Sequence, residues 1–292
     1  ASGVCHTDLT VKVLSGNGMP FPIVLGHEGA GTIVEVGEGV QHLAPGDPVV
    51  IAYRAPCGQC PACRRGDPRH CYMALRPKPR LKRKRDGAVC SQVLRCGTFS
   101  EYTVVHSAAA IKMPAEMPLD KACLIACGVI TGVGATMNTV RVFPGASVAV
   151  VGCGGVGLSV IQGARLQHAR QIIAVIDVNP VKLEWARRFG ATDVVNARDG
   201  DPVAAVRGLV KDDWPGYEGG VDFAFEATGR MECIEQCVRM VNYNGTAVTI
   251  GFPASTDEVT LNVGNMDTGV YWNKVNLSVC HCGDALPSTD FP

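Results

Sequence analysis

The pattern of apolar and polar positions divides the chain into two halves of different character. In the second half, short continuous runs of β-branched residues, such as Ser147 to Val151 and Ile172 to Ile176, alternate with stretches of helical periodicity. Continuous apolar runs of this length are typical of parallel strands that are buried on both faces. The first half predicts strands at Thr32 to Val36 and Val49 to Ala52, separated by glycine and proline turn signals. We therefore expect a parallel α/β domain and a β-rich domain.

The remaining segments complete this outline. Further strands are predicted at Phe99 to Val105, Asp193 to Val195, Val221 to Phe225, Thr246 to Ile250 and Asn276 to Cys280. Helices are predicted at Asp120 to Ala126, Val181 to Phe189, Pro202 to Val210 and Glu232 to Val241. The strands of the second half together predict an α/β fold with a doubly wound, six-stranded parallel sheet of the Rossmann type.

A glycine motif follows the first strand of this predicted sheet. Gly152, Gly154 and Gly157 form G-x-G-x-x-G between a strand and a helix, and Asp177 ends the next strand twenty residues later. The glycines permit a tight turn, a close approach of backbone to a pyrophosphate and close helix packing. The helix N-terminus would face the phosphates with free N–H groups. A carboxylate at Asp177 binds a ribose hydroxyl but repels a 2′-phosphate, so the motif predicts NAD rather than NADP.

Four cysteines form a compact metal-ligand pattern in the first half. Cys57, Cys60, Cys63 and Cys71 follow the spacing C-x2-C-x2-C-x7-C. Four thiolates can close a tetrahedral site that has no open position, so the pattern predicts a structural zinc ion. Reduced loop cysteines and an iron–sulfur cluster are the alternatives, although the spacing differs from the ferredoxin patterns.

Composition places the chain among ordinary globular enzymes. It has 292 residues, is 47% hydrophobic, and its 27 basic residues balance 27 acidic ones. The neutral charge argues against nucleic-acid and membrane-surface partners. No apolar stretch is expected to approach the length of a membrane span, and the start shows no signal-peptide pattern. Fourteen cysteines beside a Rossmann pattern indicate metal binding and a reducing, cytoplasmic setting.

One basic run interrupts this balanced composition. Lys78 to Arg85 lies in a proline-containing loop and carries six basic residues in eight. It is compatible with a solvated loop, with attraction of an anionic substrate, or with a nuclear-localisation or nucleic-acid patch.

Several motifs together resemble one enzyme family. They occur in this order: Cys5-His6-Thr7-Asp8, Gly26-His27-Glu28, the four-cysteine loop, Cys127 and the glycine motif. In this combination the sequence resembles the zinc-containing medium-chain alcohol dehydrogenases. Within that family it is nearest to the thiol-linked formaldehyde dehydrogenases, either class III-like or mycothiol-dependent. The resemblance covers essentially the whole chain and implies that the β-rich part is a GroES-like catalytic domain.

The resemblance implies a second, catalytic zinc ion, which makes two Zn²⁺ per chain. Cys5, His27 and Cys127 would bind it and leave a fourth position open for water or substrate. Asp8 would orient a ligand and tune the metal, and Glu28 would lie close to it or bind it occasionally. Thr7 would accept the proton of the alcohol.

The resemblance also assigns positions around the coenzyme and the substrate. His6 would lie near the pyrophosphate, Thr131 against the nicotinamide and Lys182 near the adenosine ribose. Gly155 and Val156 would join the three motif glycines in binding NAD. Tyr53 and Arg54 match positions that line the alcohol pocket, and Thr10 stands where many members have a histidine that passes on the proton.

The expected division is a catalytic domain at residues 1–128, to which 282–292 return, and an NAD-binding domain at residues 129–281. Both ends are expected to be truncated, so the catalytic domain would be incomplete. The predicted assembly is a homodimer or a homotetramer.

These expectations favour oxidation of a primary or secondary alcohol to an aldehyde or ketone with NAD. The alternatives are oxidation of the S-hydroxymethyl adduct of glutathione or mycothiol, a variant that keeps its nicotinamide permanently bound, and an inactive fragment that binds zinc and NAD. The predicted partners are small molecules, with neither nucleic acid nor membrane among them.

Overall fold

The chain folds into two compact units. The computed structural model describes residues 1–13, 21–72, 81–176, 179–210, 219–253, 258–267 and 269–291. The first unit comprises Ala1–Ile130 and Ala285–Pro292, and the second comprises Thr131–Asp284. The first unit is rich in short strands, whereas the second alternates strands and helices.

Two small sheets form the first unit. Its strands are β1 (Ser2–Gly3), β2 (Ile23–Val24), β3 (Glu28–Thr32), β4 (Pro48–Ile51), β5 (Leu81–Lys82), β6 (Val89–Gln92) and β7 (Ala110–Lys112). One sheet has the antiparallel order β1-β3-β4-β7, and the other has the order β2-β6-β5. The regular helices of this unit are α1 (His6–Val13), α2 (Pro61–Arg64), α3 (Leu119–Leu124) and, near the end of the chain, α9 (Pro287–Asp290).

A six-stranded parallel sheet forms the second unit, as the apolar runs predict. Its strands are β8 (Ser147–Val151), β9 (Gln171–Ile176), β10 (Asp193–Asn196), β11 (Val221–Glu226), β12 (Val241–Thr249) and β13 (Asn276–Val279). Their order is β10-β9-β8-β11-β12-β13, and every neighbouring pair is parallel. This is the doubly wound order, in which the topology reverses between β8 and β11.

Helices cover both faces of this sheet. They are α4 (Ile130–Gly134), α5 (Gly155–Leu166), α6 (Pro180–Phe189), α7 (Pro202–Leu209) and α8 (Met231–Met240). Along β8, Val148 and Val150 belong to one apolar core, whereas Ala149 and Val151 belong to the other. Burial on both faces explains why the strands are continuously apolar.

Two strands predicted for the first half differ from the structure. The strand predicted at Thr32 to Val36 lies earlier and ends at Thr32. Residues 99–105 form no strand, because side chains take up the backbone groups there. The hydroxyl of Ser100 donates to the carbonyl of Tyr102 at 2.9 Å, and the side-chain amide of Gln92 donates to the carbonyl of Val104 at 3.3 Å.

The helix predicted at Asp120 to Ala126 continues to Thr139. The continuation consists of α4 and of two wide π-helical turns, Ile125–Val129 before it and Ala135–Thr139 after it. By length and composition alone, Leu119–Thr139 could cross a membrane, so the expectation that no apolar stretch approaches that length is wrong. However, 56% of its 18-residue apolar window is buried inside the protein, as in the core helix of a soluble protein. This helix is therefore weak evidence for a membrane span.

Candidate metal centres and nucleotide site

Four potential metal ligands from separate parts of the sequence meet in the first unit. Cys5, His27, Glu28 and Cys127 each place a ligand atom within 4.8 Å of the others. Cys5 precedes α1, His27 and Glu28 lie at the start of β3, and Cys127 lies in the first π-helical turn. His27 is completely buried. Single wide turns of this kind occur frequently at functional sites, and here the turn carries one of the ligands.

Asp8 holds the imidazole of His27 from the side. Its Oδ2 lies 3.3 Å from Nδ1 of His27, and its Oδ1 accepts a hydrogen bond of 2.8 Å from the N–H of Gly26. Both ring nitrogens are buried, and neither has a hydrogen-bond partner among the described residues, so Nδ1 meets Asp8 only at ion-pair distance. A buried nitrogen without a partner is costly in a metal-free protein, and a metal ion would satisfy it. Two thiols, an imidazole and a carboxyl therefore fit zinc.

The electrostatics of the cluster favour a negative charge on sulfur. The thiol of Cys127 donates towards Cys5 and, with His27, lowers the pKa of Cys5 to about 3 against the effect of burial. Burial alone would lower the pKa of His27, but its contact with Cys5 and the negative charges of Cys5, Asp8 and Glu28 raise it. Burial and the nearby Cys5 charge raise the pKa of Glu28. A zinc ligand must be deprotonated, so a cluster that already favours a thiolate is prepared for a cation.

A hydroxyl group lies beside this cluster. Oγ1 of the half-buried Thr7 is 3.6 Å from Sγ of Cys5. His6, the first residue of α1, is exposed and is not among the four grouped ligands. The hydroxyl of Thr10 donates to the carbonyl of His6 at 3.2 Å, so it serves the helix backbone. Of these three residues, Thr7 therefore has a side-chain contact with one of the ligands.

Gly3 is a functional candidate that the sequence reasoning missed. A Cβ atom at this position would lie 2.1 Å from Oε2 of Glu28, which is far inside van der Waals contact. A side chain at this position would therefore force the carboxyl of Glu28 to shift from its place beside the ligands. The one signal available in the sequence was a glycine two positions before a ligand cysteine.

The four-cysteine loop folds into a second cluster. Its four Sγ atoms lie within 4.8 Å of one another, with Cys60 to Cys71 at 3.9 Å and Cys57 to Cys71 at 3.6 Å. Tetrahedral ligation at about 2.3 Å requires sulfur–sulfur distances of roughly 3.8 Å. The cluster therefore fits a structural zinc ion.

Backbone N–H groups of the loop also point at these sulfur atoms. The N–H of Cys60 donates to Sγ of Cys57 at 3.3 Å, and that of Cys63 donates to Sγ of Cys60 at 3.5 Å. Chiefly through this second bond, the pKa of Cys60 falls to about 6, whereas burial raises the pKa of Cys63 to about 11. Bonds of this kind stabilise thiolate ligands.

The glycine motif forms the turn from β8 to α5 in the second unit. Gly152 has φ of +91°, which disfavours any residue with a side chain, and a Cβ at Gly157 would lie 1.8 Å from the carbonyl oxygen of Gly152. Gly154 and Gly155 have open space where a Cβ would stand. The turn is therefore closely packed at Gly152 and Gly157 and open at Gly154 and Gly155. A twelve-residue helix starts directly after it. These features fit a dinucleotide pyrophosphate.

The other predicted coenzyme residues lie at different distances from this turn. Thr131 is buried, its hydroxyl has no hydrogen-bond partner among the described residues, and its neighbour Gly132 packs against the carbonyl of Val156. Lys182 on α6 is half-buried, and its charge acts on Cys153 within the glycine turn. Asp177 lies outside the described residues.

A small cavity lies beside the first cluster. The ring of Tyr53 meets that of His27 edge-on, with 5.8 Å between the ring centroids. The cavity is lined by Ala52, Tyr53, Ala55, Leu94, Arg95, Cys96, His106 and Ala109. Tyr53 thus lies between the cluster and this cavity, which has a volume of about 10 Å³, room for about one water molecule, whereas Arg54 does not line it.

The basic run is only partly described, because Lys78 to Arg80 lie outside the described residues. In the remainder, Arg83 forms an ion pair with Asp86, and Arg85 lies 3.6 Å from the same carboxylate. The hairpin therefore neutralises part of its own charge.

Comparison with known families matches both units. Residues 1–115 match the alcohol dehydrogenase GroES-like domain, and residues 155–289 match the zinc-binding dehydrogenase domain. The first match covers Cys5, His27, Glu28 and the four-cysteine loop. The second covers the helix that follows the glycine turn.

Individual proteins agree with these matches. An S-(hydroxymethyl)glutathione dehydrogenase of Escherichia coli O1:K1 / APEC is 42% identical over 282 residues, which are 93% of this chain and 74% of that protein. An alcohol dehydrogenase zinc-binding domain protein from Burkholderia ambifaria has a TM-score of 0.85 at 33% identity, and the match covers 100% of this chain and 78% of that protein's chain. The benzyl alcohol dehydrogenase of Acinetobacter calcoaceticus has a TM-score of 0.85 at 31% identity, over 99% and 77%.

Proposed function

Because this chain belongs to the zinc-containing medium-chain alcohol dehydrogenases and is therefore an oxidoreductase, we propose that it oxidises an alcohol to an aldehyde or ketone with NAD. The substrate is a small primary or secondary alcohol, whose carbon gives a hydride to the nicotinamide while its hydroxyl loses a proton. The observation that carries the proposal is the cluster of Cys5, His27, Glu28 and Cys127, in which a buried ring nitrogen has no hydrogen-bond partner among the described residues.

Cys5, His27 and Cys127 would hold the catalytic zinc, with Glu28 beside them. A zinc ion there supplies Lewis acidity, which lowers the pKa of an alcohol hydroxyl. Asp8 fixes the orientation of the His27 ring. The hydroxyl of Thr7, which lies 3.6 Å from Sγ of Cys5, would accept the alcohol proton.

The second unit would bind the coenzyme. The open space above Gly154 and Gly155 would take the pyrophosphate, and Gly152, Val156 and Gly157 shape the turn beneath it. Thr131 would contribute a buried hydroxyl that has no hydrogen-bond partner among the described residues, and Lys182 a charge near the turn. The choice of NAD over NADP rests on Asp177, which follows Ile176, the last residue of β9, in the sequence.

Zinc content and NADH production test this function together. We expect about two zinc ions per wild-type chain, one in each cluster. Cys127→Ser and Cys63→Ser should each leave about one, whereas Cys90→Ser, a half-buried cysteine outside both clusters, should retain two. Cys127→Ser should also abolish NADH production from alcohols. One zinc ion in the wild-type chain, without NADH production, would instead identify an inactive zinc- and NAD-binding fragment.

A thiol adduct is the second candidate substrate. The 42% identity to S-(hydroxymethyl)glutathione dehydrogenases favours it. NADH production from formaldehyde should then require glutathione or mycothiol. Formaldehyde oxidation at an equal rate without either thiol would exclude this candidate.

We also propose a reducing, cytoplasmic location and a homodimer or homotetramer. All fourteen cysteines lie within the described residues, and none forms a disulfide. β13 is an edge strand whose Leu277 and Val279 are 54% and 62% exposed, and such edges tend to pair with another chain. Light scattering after gel filtration would test the assembly, and a monomeric mass would exclude it.

A further inference from the structure

The second unit contains a buried carboxylate that the proposed reaction does not use. Glu226 ends β11, where it pairs in register with Val151 of β8 and Thr249 of β12. The chain order of the sheet reverses between β8 and β11, and ligands of such sheets bind at the carboxyl ends of these strands. Glu226 therefore lies at the edge where a dinucleotide binds, although its side chain is completely buried.

One oxygen of this carboxylate organises the next turn of the chain. Oε1 accepts hydrogen bonds from the hydroxyl of Thr228 at 2.5 Å, from the N–H of Gly229 at 2.8 Å and from the N–H of Thr228. Oε2 is buried without a hydrogen-bond partner among the described residues. A buried carboxylate is costly to keep, and three donors to one oxygen offset only part of that cost. The two hydrogen bonds from Thr228 to Oε1 hold this threonine beside the carboxylate.

Thr228 in turn lies directly on the glycine turn. A Cβ atom at Gly152 would stand 2.4 Å from Cγ2 of Thr228, so the methyl group covers that position. The N–H of Ala227 also donates to the carbonyl of Val151 at 2.9 Å, which ties the two strand ends together. The glycine turn is thus held between Gly157 on one side and Thr228 on the other.

We propose that Glu226 is a positioning residue for the dinucleotide site, and that it acts through Thr228 on the turn at Gly152. This inference rests on the proposed use of NAD. Glu226 does not touch the coenzyme. Its hydrogen bonds keep Thr228 against the turn, so that the N–H groups at the start of α5 stay aligned for the pyrophosphate.

Binding of ADP-ribose and NADH to the full chain tests this inference. Glu226→Gln keeps the size of the side chain but removes its charge. Thr228→Val keeps the methyl group that covers Gly152 and replaces the hydroxyl, which donates to Glu226 and accepts from the N–H of Arg230, by a second methyl group. Both backbone bonds to the carboxylate stay intact. We expect each variant to raise the Kd of both probes by about tenfold, as expected for the loss of a hydrogen bond to a charged group. The KM for NAD should rise while kcat stays close to the wild-type value.

The matched control is Glu184→Gln on α6, which makes the same charge change at an exposed carboxylate of the same unit. It should leave both Kd values unchanged. The double variant Glu226→Gln/Thr228→Val should bind about as weakly as the weaker single variant, because the two side chains act in series.

A purely structural role gives a different result. It would lower the melting temperature of Glu226→Gln but leave the Kd of the folded variant unchanged, and it would leave Thr228→Val with wild-type affinity. Wild-type affinity in either single variant, or additive effects in the double variant, would overturn this inference but would leave the proposed NAD dependence in place. A wild-type chain that binds neither probe overturns the proposed NAD dependence, and this inference with it.

Discussion

Nδ1 of His27 lies 3.3 Å from Oδ2 of Asp8, so the carboxylate faces one ring nitrogen, while Nε2 is turned away from it and neither nitrogen has a hydrogen-bond partner in the described part of the chain. Asp8 is itself 2% exposed and anchored by the N–H of Gly26. An imidazole that is fixed at one nitrogen presents the other to a metal in a single orientation. The pairing thus connects the first turn of α1 with the start of β3.

Asp8→Asn should weaken the zinc that the His27 cluster holds. An amide keeps the size of the side chain but loses the charge that orients the ring, and loss of such a partner costs about 10–100-fold in metal affinity. Zinc release into a chelator would be followed over time, with the zinc of the four-cysteine loop as an internal reference. Asp120→Asn, an exposed carboxylate on α3, is the control. Release of both zinc ions at the wild-type rates would contradict this role of Asp8.

Gly3→Ala should destabilise the first unit, because its Cβ would overlap Oε2 of Glu28. Forcing an extra methyl group into a packed site costs about 1–3 kcal/mol. The free energy of unfolding in urea would measure the loss. Gly31→Ala is the control, since nothing lies within 4 Å of a Cβ there.

Removal of the overlapping carboxyl provides the specific test of this explanation. In a Glu28→Ala background, Gly3→Ala should cost much less than in the wild-type chain, because the two residues are coupled. An equal cost in both backgrounds would mean that Glu28 is not what excludes a side chain at Gly3.

The sequence predicted the fold of the second unit in detail because its strands are buried on both faces. Runs such as Ser147 to Val151 therefore carry an apolar signal that is independent of the rest of the chain. Strands of the first unit have only two to five residues. Side-chain bonds to the carbonyls of Tyr102 and Val104 take the place of the ladder expected at residues 99–105. The pattern of apolar and polar residues along the sequence does not predict such side-chain bonds.

The residues of the candidate sites also differ in how far the sequence alone could predict them. Spacing pointed to the four cysteines because they share one short loop. Cys5, His27 and Cys127 are distant in sequence, so only the resemblance to a family suggested their association. The need for Gly3, and the three bonds to Glu226, depend on contacts between separate elements, which a single sequence does not reveal.

Gly154→Ala should impair coenzyme binding without affecting folding. Gly154 has φ of −80°, and nothing lies within 4 Å of a Cβ there, so the added methyl group is tolerated in the folded chain. The same methyl group would occupy the space that the second motif glycine leaves for the pyrophosphate. The Kd for ADP-ribose should rise about tenfold or more while the melting temperature stays near the wild-type value.

Gly152→Ala is the contrasting variant. Its positive φ and its contact with Thr228 should lower stability as well as affinity. Tight ADP-ribose binding by Gly154→Ala would show that the open space above the turn is not the coenzyme site.

Arg69→Gln should weaken the connection between the four-cysteine loop and α9. Arg69 binds both carboxylate oxygens of Asp290, one of them at 3.1 Å, and Asp290 also accepts the N–H of Leu286 at 2.9 Å. Burial opposes the charge of Asp290, but these bonds outweigh it and lower the pKa of the carboxyl below 3.8. The pair is partly exposed, so the variant should lose about 1 kcal/mol of unfolding free energy near neutral pH.

The pH dependence of that loss follows from the sign of the shift. A carboxyl whose pKa is lower in the folded state contributes its full stabilisation above the unfolded value of 3.8. That contribution disappears as the pH falls through the folded pKa. The difference in unfolding free energy between wild type and Arg69→Gln should therefore be constant from about pH 7 to about pH 5 and shrink below about pH 4. Urea unfolding at each pH would measure this difference. The control is Arg65→Gln, which removes the exposed ion pair between Arg65 and Asp67 in the same loop. A difference that grew towards acid pH would contradict the ion pair as the cause.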